Sequence, residues 1–119
     1  MAVEIGSRGL REVNLTIPQG TSLTFDIVHT TDGGEVVDHS QSACRMAFQS
    51  ADKKTHYVMD SCCSADAERI RVTIPADQTE SLPLGKMSWD LIVETQLGES
   101  VRICYGKVSI VDTYALDEV

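Results

Sequence analysis

The residues in this chain able to do chemistry are three histidines, His29, His39 and His56, and four cysteines, Cys44, Cys62, Cys63 and Cys104. Nucleophilic catalysis needs a hydroxyl or thiol held against a base. Ser40 and Ser42 lie close to His39, but no G-x-S-x-G elbow surrounds them and no G-x-x-x-x-G-K loop offers a phosphate cradle. Each histidine is read as an exposed polar residue, and no enzymatic activity is expected. A zinc site drawn from His56, Cys62, Cys63 and Cys44 lacks the paired short spacings of structural zinc sites, so the thiols are read as inert. Asp32, Glu35 and Asp38 do not follow the alternating ligand spacing of a calcium loop. No cofactor and no metal are expected. Asn14-Leu15-Thr16 fits a glycosylation sequon but falls within a strand pattern, where chance explains it.

Aromatic residues make up only 5% of the chain. Trp89 falls in phase with Met87, Leu91 and Val93, which reads as core and not as a sugar-binding platform. That leaves Tyr114, in the acidic tail VDTYALDEV, as the candidate partner contact.

The elements that must position these groups follow a period of two. Val13, Leu15 and Ile17 alternate with polar neighbours until Pro18-Gln19-Gly20 turns the chain, and Leu23, Phe25 and Ile27 repeat the pattern. Thr31-Asp32-Gly33-Gly34 is a turn signal, since Asp-Gly and Gly-Gly tolerate the positive φ of tight turns. Cys44, Met46 and Phe48 define a third strand, and Thr55–Asp60 is expected as its hairpin return. Val72 is central to Ile70–Ile74, which Pro75 ends. Ala76–Leu82 allows one helical turn. Met87, Trp89, Leu91 and Val93 form the next inward set, and Val101, Ile103 and Tyr105 the last, with Gly106 expected to shift the phase so that Val108 and Ile110 continue the apolar face.

About seven short strands without a sustained helical period predict an all-β protein, an immunoglobulin-like antiparallel β-sandwich, with a small barrel as the alternative. The expected organisation is a flexible N-terminal arm over residues 1–12, the sandwich over 13–112 and an acidic tail over 113–119. The expected core is Leu15, Ile17, Phe25, Ile27, Met46, Phe48, Val72, Trp89, Leu91, Val93 and Ile103.

A chain of 119 residues is long enough for one real core. With 18 acidic and 10 basic residues, a net charge of -8 repels phosphate backbones, so no nucleic acid partner is expected. The basic residues look scattered, with Lys53-Lys54 the only adjacent pair, read as a solvated loop. No apolar run is long enough to cross a bilayer, and the opening MAVEIGSRGLREV lacks the apolar core of a signal peptide. Folding in the cytosol with reduced thiols and no membrane partner is therefore expected.

Taken in order, the segments IPQGTSLTFDI (Ile17–Ile27), TDGGEVVD (Thr31–Asp38), ACRMAFQ (Ala43–Gln49), IRVTIPADQTESLPLGKMSWDLIV (Ile70–Val93) and VRICYGKVSIV (Val101–Val111) resemble the immunoglobulin-like β-sandwich virion proteins of tailed bacteriophages. That family includes the N-terminal domains of upper-baseplate and tail-fibre proteins. The most specific element is the order I-P-x-x-x-T-x-x-L-x-x-G-x-x-x-W-D-L, beginning at Ile74. The Cys62-Cys63 pair and the His39-Ser40-Gln41 loop lie outside the pattern. The resemblance implies a structural role in the virion, as a tail, baseplate or fibre-attachment adaptor, with capsid decoration as the alternative; apart from the resemblance, a stand-alone carbohydrate- or receptor-binding sandwich is the other reading. The resemblance also implies other virion proteins as partners, assembly in many copies and no catalytic residues. The protein would fold in the host bacterial cytoplasm and reside in the virion.

Overall fold

A computed structural model describes residues 2–5, 11–31 and 33–113, the first four as backbone alone. Alternating sequence becomes two packed sheets. One has the order β1 (Ala2–Ile5), β4 (Leu23–His29), β8 (Ile70–Ile74), β7 (Cys63–Ala65). The other runs β2 (Arg11–Glu12), β10 (Ser100–Val111), β9 (Gly85–Glu94), β5 (Ala43–Ser50), β6 (His56–Val58), with β3 (Leu15–Pro18) also lying along β10. The chain changes sheet between β1 and β2, between β3 and β4, between β4 and β5, between β6 and β7, and between β8 and β9. This is the Greek-key wiring of an immunoglobulin-like sandwich. The two sheets remain separate paths, so no barrel closes.

The alternation buries one side of each strand. Leu15, Ile17, Phe25, Ile27, Met46, Phe48, Val72, Trp89, Leu91, Val93 and Ile103 are all 5% exposed or less and belong to one apolar cluster between the sheets. Phe25 and Trp89 meet edge to face across it, with ring centroids 6.2 Å apart, a favoured aromatic geometry.

Four local expectations are corrected. The first twelve residues contain two strands: β1 pairs in parallel with β4, and β2 with β10. The return strand expected to reach Asp60 stops at Val58, because the Asp60 carboxylate accepts the Met46 amide (2.9 Å). A 3-10 turn over Asp60–Cys62 then carries the chain to β7 in the other sheet. At three residues, β7 is too short for a periodic signal.

The fourth correction concerns β10. Its register against β9 shifts between Arg102 and Cys104, and Ile103 and Cys104 are both buried, so the bulge precedes Gly106. Gly106 stays in register opposite Trp89 and serves a different end. A β-carbon there would collide with the Val13 carbonyl. That carbonyl accepts the Trp89 indole N–H (2.7 Å), while the Val13 amide donates to Tyr105 O (2.8 Å) and Asn14 Oδ1 accepts the Lys107 amide (3.0 Å). The break between β2 and β3 thus folds over Gly106 and satisfies the buried indole. Asn14, the sequon residue, completes the ladder.

The stretch between β8 and β9 closes one end of the sandwich. Pro75 precedes α1 (Ala76–Glu80). Buried Thr79 accepts the Gly20 amide (3.1 Å), and the Gln19 side chain donates to Leu82 O (2.7 Å), tying this turn to the β3–β4 turn.

Candidate functional site

The residues out of phase with the core on β5, β6, β9 and β10 form the outer face of the larger sheet. Arg45, Ala47 and Gln49 stand on β5, His56 and Val58 on β6, Ser88, Asp90, Ile92 and Glu94 on β9, and Arg102 and Lys107 on β10. Cross-strand register sets them side by side: Ala47 opposite Asp90, Gln49 opposite Ser88 and His56, and Lys107 opposite Ser88.

Shallow concavities cover this face. One of about 390 Å³ has an apolar floor that includes Ala47, Val58 and Ile92 and a rim that includes Arg45, Asp60 and Glu94. Val58 is 70% exposed, a large apolar side chain left in solvent. On the rim, Arg45 Nη1 donates to Glu94 (2.9 Å) and Arg45 Nε lies 3.7 Å from Asp60. The Glu94 hydrogen bond, reinforced by the charges of Glu94 and Asp60, raises the Arg45 pKa. A second concavity of about 300 Å³ lies over Gln49, His56, Asp90 and Arg102. Arg102 pairs with Asp90 at 3.5 Å and lies over the Tyr105 ring at 4.8 Å, while Gln49 Nε2 and His56 Nε2 are 2.9 Å apart. An apolar centre with a charged, partly paired rim is the layout of a protein-binding surface.

The outer face of the smaller sheet is knitted shut. Arg71 donates two hydrogen bonds to Asp26 (2.8 and 3.2 Å) and Arg69 a third (3.3 Å). The Arg71 hydrogen bonds, followed against an opposing desolvation by the charges of Arg71 and Arg69, hold the Asp26 pKa down at about 2.

The histidines read as exposed are not alike. His56 is exposed on the outer face of the larger sheet, whereas His39 is buried at 6% exposure. The loop after β4 folds back, with the His39 amide donating to Asp66 O (3.2 Å), and stacks His39 on His29 with centroids 5.2 Å apart. His29 Nδ1 and His39 Nε2 are 3.0 Å apart, which requires one ring to be neutral and accept. Burial, then the nearby charge of His29, lowers the His39 pKa against a weaker pull from Asp38.

Structure separates the candidate zinc ligands. Cys44 and Cys63 come together from opposite sheets, and the interaction of the two thiols lowers the Cys44 pKa and raises that of Cys63, whose Sγ donates to Asp60 O (3.4 Å). Cys62 instead donates to Gln78 Oε1 (2.7 Å), and His56 belongs to the outer face. All four cysteines are free, and burial pushes the Cys104 thiol up to about 11. Among the described residues no three metal-ligating side chains converge. Of the calcium candidates, Asp32 lies outside the described residues, Glu35 is exposed, and Asp38 accepts the Ser40 amide (2.8 Å) in a local turn. Tyr114, the candidate partner contact, also lies outside the described residues.

Sequence reasoning missed the company these residues keep. The basic residues that look scattered along the chain are sorted in space. The described ion pairs are made by Arg45, Arg69, Arg71 and Arg102. The chain's four lysines, Lys53, Lys54, Lys86 and Lys107, are exposed and form no described ion pair. They gather at the end of the larger sheet marked by the β5–β6 hairpin, where Ser50 faces Met87 and Lys86 faces Ser109. Only the cross-strand register shows this, since Lys53 and Lys107 are far apart in sequence.

These features define a β-sandwich with one sheet face cross-linked by ion pairs and one more open sheet face. No protein-family model and no curated protein matches the chain.

Proposed function

We propose that this protein is a structural component of a tailed-bacteriophage virion, a tail, baseplate or fibre-attachment adaptor that acts through protein–protein contacts. The adaptor role is supported by the outer face of the larger sheet: Ala47, Val58 and Ile92 offer an apolar centre within a rim of Arg45, Asp60 and Glu94. Beside it β6 is the edge strand of the larger sheet among the described residues, an edge to which a neighbouring chain can add a strand. The single observation that carries the virion assignment is the ordered sequence resemblance from Ile17 to Val111. Mass spectrometry of purified virions is the test. Recovery of the chain in fixed ratio to the tail proteins is expected, and its absence from intact particles would overturn the reading.

A further inference from the structure

One end of the sandwich holds a lysine-lined groove, which shares that end with exposed Asp77, Glu80 and Asp112, and the other end holds carboxylates. The groove, of about 340 Å³, is lined by Lys53, Lys86 and Lys107, with Gln49 and Ser88 as hydrogen-bonding groups and Ala51 and Met87 beneath them. Lys107 Nζ donates to Ser88 Oγ (3.2 Å) and forms no ion pair among the described residues. Among the described residues no carboxylate lines the groove. Asp52, the nearest in the hairpin, is turned to the Ser50 hydroxyl (2.6 Å) and the Lys54 amide (3.0 Å). Three lysines lining one groove make it favour an anionic occupant.

The opposite end is acidic. The loop after β4 carries Glu35 and Asp38, the turn before β8 carries Asp66 and Glu68, and the β9–β10 hairpin carries Glu99, all exposed. These segments form one surface, joined by the His39 amide to Asp66 O (3.2 Å) and by Gln96 Nε2 to Gln41 Oε1 (3.0 Å). From it projects the hairpin tip, closed by the Gly98 amide to Thr95 O (3.0 Å), with Leu97 at its apex 89% exposed. An exposed leucine beside Glu99 matches a groove with an apolar floor and a lysine rim.

We infer that copies of this chain associate end to end, the Leu97–Glu99 tip of one copy seated in the Lys53–Lys86–Lys107 groove of the next. Such an interface is heterologous, using two different patches, and therefore propagates into a ring or a stack and does not stop at a dimer. The argument rests on charge and shape complementarity within one molecule and is independent of the virion assignment. Attraction at the ends must act against the net charge of -8 on each copy, so association is concentration-dependent and weak for the isolated chain.

Sedimentation velocity of the full chain tests this at roughly 0.01 M and roughly 0.15 M salt, where charges are screened over about 30 Å and about 8 Å. Wild type is expected to sediment faster as its concentration rises, more so at low salt. Two charge-reversed variants are compared: Lys53→Glu/Lys86→Glu/Lys107→Glu at the groove and Leu97→Lys/Glu99→Lys at the tip. Each alone is expected to lose association by about tenfold or more, and an equal mixture to recover it, because the reversed groove meets the reversed tip. All these side chains are exposed, and unchanged thermal melts confirm that the variants fold. A wild type that stays monomeric throughout at low salt would overturn the inference, as would variants that associate like wild type or a mixture that fails to recover. Detection of the chain in virions bears on neither outcome.

Discussion

The two faces of β9 are built from alternate residues of the same ten-residue strand and answer to different physics. Facing inward, Met87, Trp89, Leu91 and Val93 are 4% exposed or less. Facing outward, Ser88, Asp90, Ile92 and Glu94 are half-buried; Ser88, Asp90 and Glu94 meet Lys107, Arg102 and Arg45 from neighbouring strands, and Ile92 lines a concavity with Val58. The inner face is held by removal of apolar area from water, at roughly 25 cal/mol per Å². The outer face consists of ion pairs that solvent and salt weaken. Stability therefore resides on one side of the strand and recognition on the other, and substitutions one residue apart should differ sharply in cost.

The largest effect is expected at Trp89. Trp89→Ala removes the biggest fully buried side chain, its edge-to-face contact with Phe25 and its hydrogen bond to Val13 O. The loss should be about 3–5 kcal/mol, read from urea denaturation. Trp89→Phe separates the two components: it keeps most of the apolar volume but leaves the Val13 carbonyl buried without its donor, at about 1–3 kcal/mol. If Trp89→Ala melted like wild type, the division between the faces would fail.

Next in size is Gly106→Ala. A methyl group there has no room unless the Val13 backbone moves, because the nearest atoms are the Val13 carbonyl oxygen and carbon. Overpacking against backbone should cost roughly 2–3 kcal/mol, and hydrogen exchange should show the Val13 and Lys107 amides losing protection together. Gly33→Ala is the control, since its nearest neighbour is the Thr31 hydroxyl at 3.8 Å. Equal losses from both substitutions would remove Gly106 from this role.

The inner face was legible because it obeys a rule written along the chain. Period-two spacing places Phe25 and Ile27, or Met46 and Phe48, on one side without knowledge of any partner strand. Gly106 marks the limit of that rule: a glycine in mid-strand signals close approach or a bulge, and only the position of Val13 decides between them. The outer face obeys cross-strand register between segments up to half the chain apart, which periodicity does not encode. Lys53, Lys86 and Lys107 are far apart in sequence and line one groove. His39 was misread for the same reason, because its burial depends on the return of a loop to Asp66 and His29. β1, β2 and β7 are too short to show any period.

A smaller, pH-dependent effect is expected from His39, a polar residue held in the manner of the inner face. Its pKa is lowered from 6.5 in the folded state, chiefly by burial, so the unfolded chain binds the extra proton first. Stability should therefore rise with pH through the window below about 6.5 and fall as acid protonates the unfolded chain. His39→Gln should flatten this slope in thermal melts recorded between about pH 5 and about pH 7.5, the range in which an ordinary histidine titrates. An unchanged slope would mean that the buried imidazole pair does not carry it.

The smallest effect is expected one residue from the largest. Asp90 pairs with Arg102 at 3.5 Å, with side chains 37% and 49% exposed, the arrangement in which an ion pair contributes about 0–1 kcal/mol. Asp90→Asn keeps the shape and removes the charge, so urea midpoints should shift by no more than about 0.5 kcal/mol equivalent. The Arg102 guanidinium then loses its carboxylate while keeping the Tyr105 ring, whose face attracts a cation independently. A double-mutant cycle with Arg102→Gln measures what remains of the pair, and a coupling near zero is expected at about 0.15 M salt because exposed charges are screened over about 8 Å. A coupling as large as the cost of Trp89→Ala would place the outer face among the determinants of the fold, and the two sides of β9 would no longer be distinct.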